Sequence, residues 1–153
     1  MVKRASLDHS PCPVARSLDV IGDWWSLLII RDALEGIRRF TAYQASLGIA
    51  KGMLAARLRA LVERGIFKME PASDGSAYRE YVLTAKGQAL HIVVAALRQW
   101  GEAQLYGPTE RHSSLVDTRY CLPVAPLALR ASDGRTLEWN DTAVIRVGQS
   151  PLA

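Results

Sequence analysis

Cysteine is scarce in this chain. Cys12 and Cys121 are the only two in 153 residues, too few and too far apart for a disulfide framework, so reduced thiols are expected. Long apolar runs are also missing. No stretch of about 18 uncharged apolar residues occurs, and the N-terminal MVKRASLDHSPCPVA has two basic residues with no apolar segment behind them. That argues against a membrane span or a secretory leader and leads to the expectation of a cytoplasmic protein with no membrane partner.

There is no low-complexity tract or repeat. Apolar residues make up 49% and charged residues 22%, the balance of a soluble globular chain rather than a disordered one. Catalytic signatures are lacking: GxSxG, HExxH, P-loop and dinucleotide fingerprints do not occur. Glu35 with Asp32, and Asp141 near Glu138, read as helix and turn surface, so an enzyme is not expected. No CxxC is present, and His9, His91 and His112 add no ligand spacing, so neither a metal nor a cofactor is expected.

What is present is a concentration of positive charge. The formal charge is +4, and Gly36 to Glu70 holds Arg38, Arg39, Lys51, Arg57, Arg59, Arg64 and Lys68 against Glu63 and Glu70. The basic excess therefore sits in one segment, and the rest of the chain is close to neutral.

The apolar pattern divides that region into helices. PVARSLDVIGDWW puts Val14, Leu18 and Ile21 on one stripe, with Pro13 suited to a first helical position and Gly22 to a stop. Asp23 can cap WWSLLIIRDALEG, whose Trp24, Leu27, Leu28, Ile30 and Leu34 predict a central buried helix. Thr41 is the expected cap of a short third helix ending at Gly48. After about three residues a fourth helix follows, with Leu54, Leu58, Leu61 and Val62 inward and Lys51, Gly52, Ala55, Ala56, Arg59 and Glu63 outward, and Arg57 at the boundary. IFKMEP and REYVL then predict a hairpin over residues 66 to 83, with its tip at Asp74, Gly75 and Ser76.

This order predicts a mainly α fold with a small β-wing, a winged helix-turn-helix. Thr84 is expected to cap one long helix, AKGQALHIVVAALRQWGEAQLY, which reads either as domain core or, preferred here because it leaves the domain after the wing, as a dimerisation helix. Beyond Gly107 and Pro108, short β-branched runs separated by turn residues predict a strand-rich appendage. The expected division is 1–106, DNA-binding and dimerisation, and 107–153, extension.

The stretches CPVARSLDVIGDWWSLLIIRDAL at 12 to 34, RRF at 38 to 40, LGIAKGMLAARLRALVERGI at 47 to 66 and YREYVLTAKGQAL at 78 to 90 resemble the HxlR family of bacterial winged-helix regulators, relatives of the MarR group. The resemblance covers roughly residues 10 to 105. It implies a homodimeric transcription factor on double-stranded DNA with a pseudo-palindromic operator, the helix from about Ala50 to Arg64 in the major groove and the wing near the minor groove. It places Lys51, Gly52, Ala55, Arg57 and Arg59 in the recognition helix, Arg38 and Arg39 at plausible phosphate contacts, and Arg79 on the returning wing strand.

Two departures from the family pattern stand out. Gly52 occupies a position where members often carry a larger polar residue, which shifts weight to shape readout or to Lys51 and Arg59. The wing tip ASDGSA has no Lys or Arg, so wing contact rests on Arg79, Ser73 or Ser76, or is weak. Cys12 matches a position that in some members senses oxidants or electrophiles, and a helix N-terminus favours thiolate; a small buried residue at a dimer interface is the plain alternative. Trp24, Trp25 and Trp100 are candidates for a dimer interface or an apolar pocket for an unknown small-molecule effector, and equally for simple core. Two rival readings remain open: a ligand sensor with secondary DNA binding, and a protein-interaction winged helix.

Overall fold

The computed structural model describes residues 6–149; the basic pair Lys3 and Arg4 lies outside them. Contacts group residues 1–94 into one compact unit and 95–153 into a second. Helix α1, Pro13–Ile21, opens with Pro13, whose missing N–H is one that a first turn would leave unbonded. Helix α2, Trp24–Leu34, starts on Asp23, whose carboxylate accepts from the Ser26 N–H at 3.0 Å. Ile29 and Ile30 of α2 are wholly buried at the centre of the first unit. The helix is not buried all round, however, since Trp24 is 69% exposed.

Helix α3 spans Phe40–Leu47 and begins two residues earlier than Thr41 predicts. Its N-cap is Arg39, with no side-chain cap, and Thr41 is a surface residue of the first turn. Gly48, at φ 61°, ends it in the left-handed region that glycine enters freely. After Gly48 to Ala50 comes helix α4, Lys51–Glu63. Leu54, Leu58 and Leu61 are buried in a core shared with Ile21, Ile29, Ile30, Tyr43 and Ile49.

Strands β1, Phe67–Pro71, and β2, Arg79–Leu83, pair antiparallel from Phe67↔Leu83 to Pro71↔Arg79. Tyr43, Phe67 and Tyr81 stand edge to face at centroid distances of 6.5 and 6.4 Å, fastening the hairpin to α3. The fold of this unit is a winged helix-turn-helix.

The single long helix expected after Thr84 is instead two: α5, Ala85–Gln88, and α6, His91–Leu105. Thr84 does cap α5, accepting from the Gly87 N–H. Gly87 packs so closely that an added Cβ would lie 2.3 Å from the Ile66 carbonyl oxygen. The chain is drawn onto the end of α4 there and turns through a tight Leu90 N–H to Gly87 carbonyl bond before α6 begins.

In the second unit the strand-rich appendage takes another form. Among the described residues after 107 there are two isolated bridges, Val116↔Pro123 and Arg130↔Thr136, and one 3-10 turn, Trp139–Asp141. The β-branched runs are too short, and too often interrupted by Pro123, Pro126 and Asp117, to extend a ladder. Asp117 spends its carboxylate on the N–H groups of Arg119, Tyr120 and Leu122, which closes a loop in place of a strand.

Candidate nucleic-acid interface

Helix α4 has a buried face of leucines and a bare one. Lys51, Gly52, Met53, Ala56, Arg59, Ala60 and Glu63 are exposed, while Ala55 and Arg57 are half-buried. Met53, 44% exposed, belongs to this outer face; sequence reading missed it because a methionine beside Leu54 reads as core. A Cβ at Gly52 would meet open space. Gly52 is therefore not required by packing, and its absent side chain leaves backbone open to close approach.

The seven basic residues of the Gly36 to Glu70 segment fall into two groups. Five are paired. Arg57 Nε lies 3.3 Å from Asp23 Oδ1, Arg64 reaches Asp8 at 2.6 Å and Asp19 at 3.1 Å, and Lys68 meets Glu70 at 2.5 Å. Arg38 and Arg39 turn to acids on the wing. Among the described residues, Lys51 and Arg59 have no ion-pair partner and project from the same bare helix face.

The corner where α3 meets the wing is built around Glu80, buried although charged. Its carboxylate accepts from Ser73 Oγ at 3.1 Å and lies 3.8 Å from Arg38 Nη1 and 3.6 Å from Arg39 Nε. A buried charge needs such partners, because isolated burial would cost several kcal/mol, roughly. The Tyr81 N–H donates to the Arg38 carbonyl at 2.8 Å, so backbone and side chains bind this corner together.

Arg39 then reaches out to the wing tip. Its Nη2 lies 2.5 Å from Asp74 Oδ2 and 3.5 Å from Ser76 Oγ, and its guanidinium stands 5.9 Å from the Tyr78 ring centroid. Hydrogen bonds from Ser76, with Arg39 adding to them, hold the Asp74 carboxyl down at about 2, and Asp74 in turn raises the Arg39 pKa. Arg79 donates across the hairpin to the Met69 carbonyl at 3.0 Å. Arg38, Arg39, Ser76 and Arg79 thus gather at one corner, and Lys51, Gly52 and Arg59 on one helix face. Asp74 and Glu80 were missed from sequence, since nothing in a five-residue strand or a polar turn marks them as partners of Arg38 and Arg39.

The other candidate residues lie apart. Cys12 is exposed at the N-cap of α1, its N–H donating to Ser10 Oγ at 3.2 Å. Trp24 and Trp25 lie with ring centroids 4.8 Å apart, tilted by 40°, with Trp25 against the core and Trp24 outside. Trp100, in the second unit, is 59% exposed. Among the described residues no helix is long and apolar enough to cross a membrane.

Comparison with known proteins agrees with this architecture. Residues 20–108 match the HxlR-like helix-turn-helix family model. MT3179 of Mycobacterium tuberculosis, named an uncharacterized HTH-type transcriptional regulator, is 42% identical over 95 residues, 62% of this chain. The chain spans only 60% of the length of that relative. Among solved structures, PA1607, described as a candidate transcription factor, is 52% identical with a TM-score of 0.88, over 93% of this chain and 99% of its own. HypR in its reduced form, named a redox regulator, is 30% identical with a TM-score of 0.54, over 60% of this chain and 92% of its own. These relatives carry the names of regulators, not of enzymes. With a helix-turn-helix and hairpin wing in place, and more than half of its length matched, the chain belongs to the HxlR-like helix-turn-helix family of transcriptional regulators.

Proposed function

We propose that this chain is a homodimeric DNA-binding transcriptional regulator that inserts α4 into the major groove. The observation that carries this is the outer face of α4: Lys51 and Arg59 are without ion-pair partners among the described residues, on a surface kept low by Gly52, Ala56 and Ala60. Small residues let the helix approach base edges, and the two cations can reach guanine edges or phosphates. The α3–wing corner flanks that face with Arg38, Arg39, Ser76 and Arg79, whose phosphate contacts would set orientation rather than sequence.

A dimer is supported by apolar surface left in water by a single copy. Val14 and Leu18 are exposed on α1, and Ile92, Val93, Leu97 and Trp100 on α6. Residues 1–106 are read as the DNA-binding and dimerising part and 107–153 as an extension. Two half-sites about 34 Å apart would match the two-fold symmetry.

The test is fluorescence anisotropy against the DNA upstream of the protein's own gene, with Lys51→Ala and Arg59→Ala beside the native chain. Binding should fall steeply with salt and be weakened by each substitution. Undiminished binding by both variants would remove α4 from the interface.

A thiol input is a second reading, favoured by the exposed Cys12 at the head of α1. The related HypR is named a redox regulator. Diamide or a quinone should then release DNA from the native protein and not from Cys12→Ser. Equal release from both would end the thiol reading.

A further inference from the structure

The wing tip has the wrong sign for a DNA contact. Residues 72 to 78 carry no Lys or Arg, and their one charge is Asp74. That carboxylate is spent on Arg39, and Arg39 is held in a particular way. Glu80, buried, holds the Nε edge of the guanidinium at 3.6 Å, while Nη2 points outward to Asp74 at 2.5 Å. One edge therefore faces a buried carboxylate and the other is occupied by an acid that is itself 54% exposed.

We propose that Asp74 is a built-in competitor for a DNA backbone phosphate at Arg39. This rests on the DNA-binding reading given above. A carboxylate and a phosphodiester each present two oxygens and one negative charge to the guanidinium fork, so they compete for the same donors. The surroundings suit the exchange. Arg39 is the N-cap of α3, a helix that starts without a side-chain cap, and the open hollow of about 270 Å³ beside it is lined by Thr41, Tyr78 and Arg79. Free first-turn N–H groups and a second arginine favour an anion there. The pair is exposed, so breaking it costs little. Glu80 keeps the guanidinium in place while its outer edge changes partner.

Asp74→Asn tests this without disturbing the turn, because Asn keeps the oxygen that accepts from the Ser76 N–H at 3.0 Å. The probes are a random-sequence duplex and the upstream duplex, titrated across a salt series. Per protomer, Asp74→Asn should bind roughly two- to fivefold tighter, the value of one exposed ion pair. Its dependence of log K on log salt should keep the native slope, because the same phosphate is contacted once Asp74 has been displaced. Both duplexes should gain alike, since a phosphate contact carries no sequence information.

In an Arg39→Met background the gain should vanish. A gain that survives there is a general charge effect and overturns the proposal, as does weaker or unchanged binding by Asp74→Asn while the native chain binds normally. Failure of the underlying reading looks different: Lys51→Ala with Arg59→Ala then binds as tightly as the native chain, or the native chain shows no salt-dependent binding at all, and the proposal falls with it.

Discussion

The outer face of α4 and the corner between α3 and the wing are both cationic, and they use their charge in opposite ways. On α4, Lys51 and Arg59 have no ion-pair partner among the described residues. At the corner, Arg38 and Arg39 are bound to Glu80 and Asp74. The same residue types thus stand without an ion-pair partner in one place and are tied to acids of the wing in the other. Formal charge along the segment overstates the field it presents, because most of its cations are neutralised by acids from elsewhere in the chain.

The sharpest test of that contrast removes both α4 cations. Lys51→Ala with Arg59→Ala should cost about 1–3 kcal/mol of DNA binding for each lost base-edge contact, while urea unfolding moves by no more than about 0.5 kcal/mol. A comparable loss of stability would show that α4's outer charges are structural after all. The mirror experiment is Glu80→Gln, which leaves Arg38 and Arg39 without their buried counter-charge. Unfolding free energy should fall by about 1–3 kcal/mol, measured by urea melts, and an unchanged midpoint would dissolve the distinction from the other side.

A smaller effect of opposite sign is expected from Gly52→Ala. With open space around the new methyl, thermal melting should report a gain of up to about 0.5–1 kcal/mol from helix propensity. DNA affinity should drop if the bare backbone is used for close approach. The smallest effect is the acid titration of the wing tip. The Asp74 carboxyl is lowered from 3.8 to about 2 in the folded state, so the stability it adds is complete above the unfolded value and is lost as pH falls from about 3.8 to about 2. Carboxyl NMR of Asp74 should follow that window in the native protein and move upward in Arg39→Met.

Local signals in the sequence carried much of the fold. Asp23, Gly48 and Thr84 act where their chemistry predicts, because caps and left-handed turns depend on a few neighbouring atoms. The winged-helix order followed from periodicity. Thr41 failed as a cap because the aromatic fastening of Tyr43 to the hairpin and the Tyr81 bond to Arg38 draw the chain into helix earlier. The break after α5, at a Leu90 N–H to Gly87 carbonyl bond, carried no Pro or left-handed glycine to mark it in the sequence.

The site was legible as a basic face and not as a pattern of pairing. Arg57 read as a boundary residue of α4, yet its partner Asp23 lies at the head of α2. Arg64 finds Asp8 and Asp19, and Arg39 finds Asp74. Such partners are distant in sequence and carry no periodic signal, so only the folded chain distinguishes a spent cation from an available one.

Thr84 ties three segments in one knot. Its hydroxyl donates to the Gly65 carbonyl at 2.6 Å, its N–H to the Ile66 carbonyl at 3.0 Å, and Gly87 lies where no Cβ fits against that same Ile66 carbonyl. The chain therefore tolerates changes of length very unevenly. Residues inserted between Ala72 and Tyr78 would lengthen a solvent-facing loop at small entropic expense, so wings of different reach can evolve on this frame. A single residue inserted between Leu83 and Gly87 would put a side chain into a backbone carbonyl, which makes this short interval the ruler against which the rest of the unit is set.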